Sequence, residues 1–184
     1  MRNKKSSSIL QNIPPPAGFP NNQLAQQFST ISRLIAGELP TRVYYLSLGG
    51  FDTHNNQQGT HDRLMDTLGC SINAFVREMQ RQGNYQRVML LTFSEFGRRV
   101  AENSSGGTDH GTAAPMFITS GTFTPGIHGK APSLKDLDSG DLKYTTDCRS
   151  VYATVLDKWL RTDSRKILQT TGIPNAVGSS WVAA

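Results

Sequence analysis

The sequence is poor in the features that would assign it quickly to a class. Two cysteines, Cys70 and Cys148, stand far apart among 184 residues. They form neither a CxxC pair nor a zinc-knuckle spacing, which excludes a disulfide scaffold and a cysteine-built metal finger. No window approaches the run of about 18 apolar residues that a membrane-spanning helix needs, so no membrane partner is expected. Charged residues make up only 18%. The formal charge is +5, yet the basic residues are scattered singly apart from Arg2 to Lys5 and the pair Arg98-Arg99. Without aromatic and basic residues interleaved, this reads as a solvated surface and not as a nucleic-acid groove. The opening MRNKK is followed by SSSILQNIPPPAGFPNN and not by an apolar segment, so no secretory signal is legible. No internal repeat is visible.

What is present is a loop-rich globular chain. Hydrophobic residues are 36%, with 17 glycines and 9 prolines, a composition compatible with an α/β enzyme. Its length suits one domain able to bury a core without disulfides or structural metal. Residues 1–21, with Pro14-Pro15-Pro16 and Pro20, lack periodic apolar positions and are expected to form an extended or disordered arm. The ordered domain is expected over 22–184. Leu24, Phe28, Ile31, Leu34 and Ile35 recur at helical spacing up to Gly37 and predict a helix over 22–37. TRVYYLSLGG predicts a buried strand over 42–48. Leu64, Leu68, Ile72, Phe75, Val76 and Met79 predict a second helix over 60–82, stopped at Gly83. QRVMLLTFS predicts a strand over 87–93. Strand, helix and strand in this order form the right-handed crossover unit of a parallel sheet. A short strand over 116–119, a helix over 147–161 and a helical turn after Thr162 complete the reading. The expected fold class is therefore α/β, with a mostly parallel sheet flanked by helices.

Ligands of such sheets bind beyond the carboxyl ends of the strands. Three polar clusters fall there: GGFDTHNNQ, SEFGRR and GGTDHGTAAP. Singly, each has a structural explanation. Asp52 can cap a turn, Glu95 can be a surface carboxylate, and a lone histidine is commonly a hydrogen-bonded side chain. Together, Asp52, His54, Glu95, Asp109 and His110 offer the oxygen and imidazole ligands that a divalent ion collects from separate segments. Three of the four histidines fall in or beside these loops. His61 opens the second helix, and His128, in GIHGK, is peripheral.

The strings SLGGFDTHNNQ, TFSEFGRRVAENSSGGTDHGTAAPMFI and TTDCRSVYATVLDKWL closely resemble a bacterial family known as domain of unknown function 1501, itself similar to sulfatases and the alkaline phosphatase superfamily. The resemblance covers about residues 40–162. It implies the C-terminal part of an alkaline-phosphatase-like domain, incomplete on its N-terminal side, and a scaffold on which carboxylates and histidines hold ions that polarise a phosphate or sulfate ester. On that likeness Asp52 with His54 matches the first ligand cluster, and His110 before Pro115 matches the last. Ser94-Glu95 departs from the Asp-His of the middle cluster, so either one ligand is lost there or Glu95 binds together with Asp109 in compensation. The implied cofactor is a divalent ion: zinc, manganese, magnesium or calcium. The implied substrate is a small anionic ester, with Arg98 pairing with its anion through a planar guanidinium. No nucleophile is identifiable, because the superfamily draws it from the other half. Ser6-Ser7-Ser8 lies in the arm, and Thr30 and Ser32 lie on a helix. Relatives resemble exported proteins with twin-arginine signals. A truncated homologue that binds without cleaving, or that associates with itself through an exposed sheet edge, is the competing expectation.

Overall fold

The computed structural model describes residues 2–169. It divides into two compact units. Of the described residues, the first comprises 2–88 together with 103–107, and the second comprises 89–102 and 108–169.

The first unit is helical: α1 Arg2–Asn12, α2 Gln23–Ala36 and α3 Gln57–Arg81. Both helices predicted from apolar spacing are present. α2 starts at Asn22, whose side chain accepts from the Ala25 N–H at 2.8 Å, satisfying one donor that a helix start leaves unpaired. The same oxygen accepts from Ser71 Oγ at 3.2 Å, fastening the start of α2 to α3. Between the helices Leu24, Ala25, Phe28 and Ile31 are buried with Phe75 and Met79. The rings of Phe28 and Phe75 stack at 4.9 Å. Burial of each such ring contributes roughly 1.5–3 kcal/mol. Ser29, Ser32 and Ser71 are buried as well; Ser32 and Ser71 return their hydroxyls to main-chain carbonyls of their own helices, Ser29 O and Thr67 O.

Both long helices close with the same pair of reversed bonds. At the end of α2 Glu38 N donates to Ile35 O and Leu39 N to Leu34 O, with Glu38 at φ +53°. At the end of α3 Gly83 N donates to Gln80 O and Asn84 N to Met79 O, with Gly83 at φ +71°. This closure needs a left-handed residue, for which glycine has no Cβ penalty. Gln82, just beyond α3, also joins Glu78 at 2.6 Å and the Ser32 carbonyl at 3.3 Å.

The arm expected over 1–21 contains α1. The sequence there lacks helical periodicity, and tertiary contacts supply what local preference does not. Arg33 of α2 donates to the carbonyls of Leu10 and Ile13, two acceptors that the end of α1 leaves unpaired.

The parallel sheet expected from the sequence is absent among the described residues. Its strands are β1 Met89–Leu91, β2 Gly97–Glu102, β3 Thr108–Gly111, β4 Ile118–Ser120, β5 Leu137–Asp138 and β6 Asp141–Leu142. They form three two-stranded antiparallel ladders, β1 with β4, β2 with β3 and β5 with β6. The α/β class with a mostly parallel, alkaline-phosphatase-like sheet is thereby overturned. Residues 42–48 are extended but join no ladder. Tyr44, Leu46 and Leu48 are half-buried, while Val43 and Tyr45 are 67% and 72% exposed. A strand of a covered parallel sheet is buried on both faces, and this run has one face in solvent. The predicted strand at 87–93 survives as β1, but its partner is β4, so no crossover unit exists.

In the second unit β2 and β3 pair Gly97 with Gly111 and Arg98 with His110, with a register shift before Glu102. β5 and β6 are joined by Ser139 and Gly140, both at positive φ, as a tight two-residue hairpin requires. The helix predicted over 147–161 is α4 Cys148–Thr154, capped by Asp147 and continued by a wider turn over Val155–Trp159 in which Leu160 N reaches Val155 O. The predicted helical turn beyond Thr162 is α5 Ser164–Leu168. Asp157 ties it down by accepting from Ser164 N and Oγ at 2.8 and 3.0 Å. Among the described residues no helix is long and apolar enough to cross a membrane.

Candidate metal centre

Asp52 and His54 lie in the segment between the extended residues 42–48 and α3. His54 Nε2 stands 3.1 Å from Asp52 Oδ1, with the side chains 47% and 65% exposed. Two ligands that each bind a metal at about 2.0–2.2 Å are themselves separated by roughly 3 Å. The pair therefore already has the spacing of neighbouring ligands on one ion, with one imidazole nitrogen and one carboxylate oxygen.

The main chain that carries the pair is fixed from outside itself. α3 begins after Asn56, which is left-handed at φ +41° and whose side chain makes no capping bond. Its first donors are satisfied by main-chain carbonyls of residues 103–107, the turn between β2 and β3. Asn56 N donates to Ser105 O at 3.1 Å and Gln57 N to Gly106 O at 2.9 Å. Gly107 lies flat against the peptide that follows His54, where any Cβ would collide with the carbonyl of His54. Asn103 Nδ2 donates to that same carbonyl at 2.9 Å. Gly107, in the cluster GGTDHGTAAP, permits this close approach because it has no Cβ. His61, early in α3, meets the ring of Phe51 edge-on at 6.0 Å.

The remaining sequence-derived candidates belong to the second unit. Glu95 is exposed in the loop before β2, next to Ser94, whose hydroxyl donates to Phe96 O at 2.8 Å. Asp109 and His110 are successive residues of β3, so their side chains leave the strand on opposite faces. The His110 ring stacks on Phe96 with centroids 3.9 Å apart and 6° between planes. The Arg98 guanidinium lies 5.1 Å from the centre of the same ring and donates to Thr108 O at 2.5 Å. Cation and imidazole thus share one aromatic support. Gly97 and Gly111, paired across β2 and β3, have no room for a Cβ against Ala113 and Arg98 respectively. His128 lies apart, with Nε2 at 3.0 Å from Thr124 O and its ring beside Phe123.

Two residues of these arrangements carry no chemical signal in the sequence. Phe96 reads as an ordinary apolar residue, and only the β2–β3 register sets it under His110. Asn103 begins the string NSSGG, which marks a turn but not what the turn touches.

Residues 12–177 match the family described as "Protein of unknown function (DUF1501)", and the chain belongs to that family. Neither a curated protein nor a solved structure matches it.

Proposed function

We propose that this member of the DUF1501 family is a metal-dependent hydrolase of small phosphate or sulfate esters, with Asp52 and His54 as the core of its ion site. The observation that carries the reading is the 3.1 Å separation of His54 Nε2 and Asp52 Oδ1 on a segment held by main-chain bonds to residues 103–107. An exposed pair so spaced suits a borderline or hard divalent ion, of which zinc, manganese, magnesium and calcium are the candidates.

The full ligand set proposed is Asp52, His54, Glu95, Asp109 and His110. Asp109 and His110 leave β3 on opposite faces, which is compatible with their serving two different ions. A divalent ion held in this way supplies Lewis-acid polarisation of an ester oxygen. The Asp52 carboxylate offsets part of the ion's charge. Arg98 supplies a planar set of donors for the substrate anion, and the face of Phe96 keeps its guanidinium oriented. The likeness of the Asp-x-His and Asp-His strings to sulfatase-type hydrolases supports the reaction class; the fold does not enter the argument. No side chain is assigned as nucleophile.

The test is metal content by elemental analysis on the purified chain, with His54→Ala and Asp52→Asn beside it, followed by turnover of p-nitrophenyl phosphate and p-nitrophenyl sulfate. Wild type is expected to hold one or two divalent ions per chain. Both variants are expected to lose at least one, and turnover is expected to fall with the ion. A folded wild type that takes up no ion when zinc or manganese is supplied defeats the reading. Ion binding without turnover leaves a binding protein in place of a hydrolase.

A further inference from the structure

Asn103 is the residue through which the turn 103–107 is organised. Its side-chain oxygen accepts from Ser105 N at 2.9 Å and Gly107 N at 3.1 Å. Its main-chain N–H donates to Gly107 O at 2.8 Å, and its own carbonyl accepts from Gly106 N at 3.2 Å. The other end of the amide, Nδ2, donates to His54 O at 2.9 Å. One planar amide therefore shapes the turn with its acceptor and grips the histidine's main chain with its donor. An amide carries the acceptor and the donor on two separate atoms, so it can serve both at once; an ionised aspartate has acceptors alone.

We propose that Asn103 is a positioning residue for the Asp52–His54 pair, fixing the peptide after His54 so that the imidazole and the Asp52 carboxylate are held at ligand spacing before an ion arrives. The proposal rests on the reading of that pair as metal ligands. Three contacts converge on the same short stretch. Asn103 bonds the His54 carbonyl, Gly107 lies against the same peptide, and Ser105 and Gly106 accept from the next two main-chain N–H groups. With that peptide plane held, fewer main-chain conformations, and so fewer directions of the His54 Cα–Cβ bond, remain open. Free rotation there would have to be frozen on binding, a cost that preorganisation removes. Residues behind a metal's ligands commonly change affinity by about 10- to 100-fold.

The decisive variant is Asn103→Asp in the full chain. It keeps the acceptor that bonds Ser105 N and Gly107 N, and so keeps the turn. It replaces the donor to His54 by an acceptor and sets an oxygen against an oxygen. Its added negative charge would by itself tighten cation binding, so a weaker site is traceable to the lost donor. Three quantities are read on wild type and variant: the thermal midpoint, amide hydrogen exchange across residues 53–57 without metal, and Co2+ affinity by calorimetric titration with the visible spectrum of the bound ion. The expected result is a midpoint close to that of wild type, exchange across 53–57 faster by about tenfold or more, Co2+ affinity lower by about tenfold or more, and an altered Co2+ spectrum. Equal Co2+ affinity and spectrum in the two proteins overturn the positioning role while leaving the metal reading intact. A wild type that takes no Co2+ overturns the metal reading, and this inference with it. Should Asn103→Asp fail to fold, Asn103→Ser, which keeps a turn-forming hydroxyl but cannot span to His54, is read by the same measurements and outcomes.

Discussion

Arg33, on the last turn of α2, donates through Nε to the Ile13 carbonyl at 2.6 Å and through Nη2 to the carbonyl of Leu10. One guanidinium thus terminates a helix in a distant part of the sequence. Bonds from a charged donor are worth about 1.5–3 kcal/mol when the acceptors would otherwise lie unpaired. Arg33→Met keeps much of the stem and removes the donors. It is expected to speed amide exchange throughout α1 while leaving α2 and α3 protected. Unchanged exchange in residues 4–12 would show that α1 holds by other contacts.

Glu78 is only 6% exposed and receives Arg81 Nε and Nη2 at 2.7 Å each, with Gln82 Nε2 at 2.6 Å. The hydrogen bond from Arg81 holds its carboxyl below the ordinary 4.5, against the opposing effect of burial. A depressed folded-state value means that the unfolded chain takes up the proton first as the pH falls. The stabilisation is therefore complete above the ordinary value and is lost as the pH drops through the folded one. Urea midpoints of wild type are expected to fall in that acid window, and those of Glu78→Gln to fall less steeply. Parallel pH profiles would sink the assignment.

Glycine positions divide into two kinds. A Cβ at Gly97 or Gly107 would run into main-chain atoms of Ala113 or His54, which cannot retreat as a flexible side chain can. Gly97→Ala and Gly107→Ala should each cost about 1–3 kcal/mol by chemical denaturation. Gly107→Ala is also expected to weaken cation binding, by displacing the peptide after His54. Gly69, inside α3, has open space where its Cβ would be. There alanine should add about 0.5–1 kcal/mol through helix preference alone. A destabilising Gly69→Ala would contradict the placement of α3.

Phe75 is 4% exposed and stacked on Phe28. Phe75→Ala is expected to lower the stability of the helical unit by about 3–5 kcal/mol, and Phe75→Leu by much less because most of the volume is kept. Similar losses for both would indicate that ring stacking, and not filled volume, dominates this core.

α2 and α3 were legible from spacing because one amphipathic stripe per helix meets one partner. Leu24, Phe28 and Ile31 recur every three or four residues, as do Phe75 and Met79, and that period has one structural solution at such lengths. Gly83 announced the end of α3 for a local reason, the left-handed residue its closure needs. The run TRVYYLSL predicts a strand of a parallel sheet, and it joins no ladder. A short apolar run states a preference for extension and does not name a partner. Here extension came true at 42–48 and the ladder did not, because β1 pairs with β4 instead. α1 went unread for the converse reason. Nothing within RNKKSSSILQN predicts a helix, and the group that satisfies its end, Arg33, comes from another helix.

The candidate site shows the same division. Asp52 and His54 were visible because two ligand types one residue apart within a glycine-flanked loop have few other reasons to coincide. Their 3.1 Å spacing, the stacking of His110 on Phe96 and the hold of Asn103 on His54 were not visible. Each depends on contacts between segments brought together by main-chain pairing. By itself the sequence determined which residues can ligate, where the two long helices run and where they stop, since those follow from side-chain chemistry and local period. Only the tertiary structure decided strand partners, the existence of α1 and the geometry around the ligands, because hydrogen-bonding groups of the main chain are alike at every position and folding alone selects which of them meet.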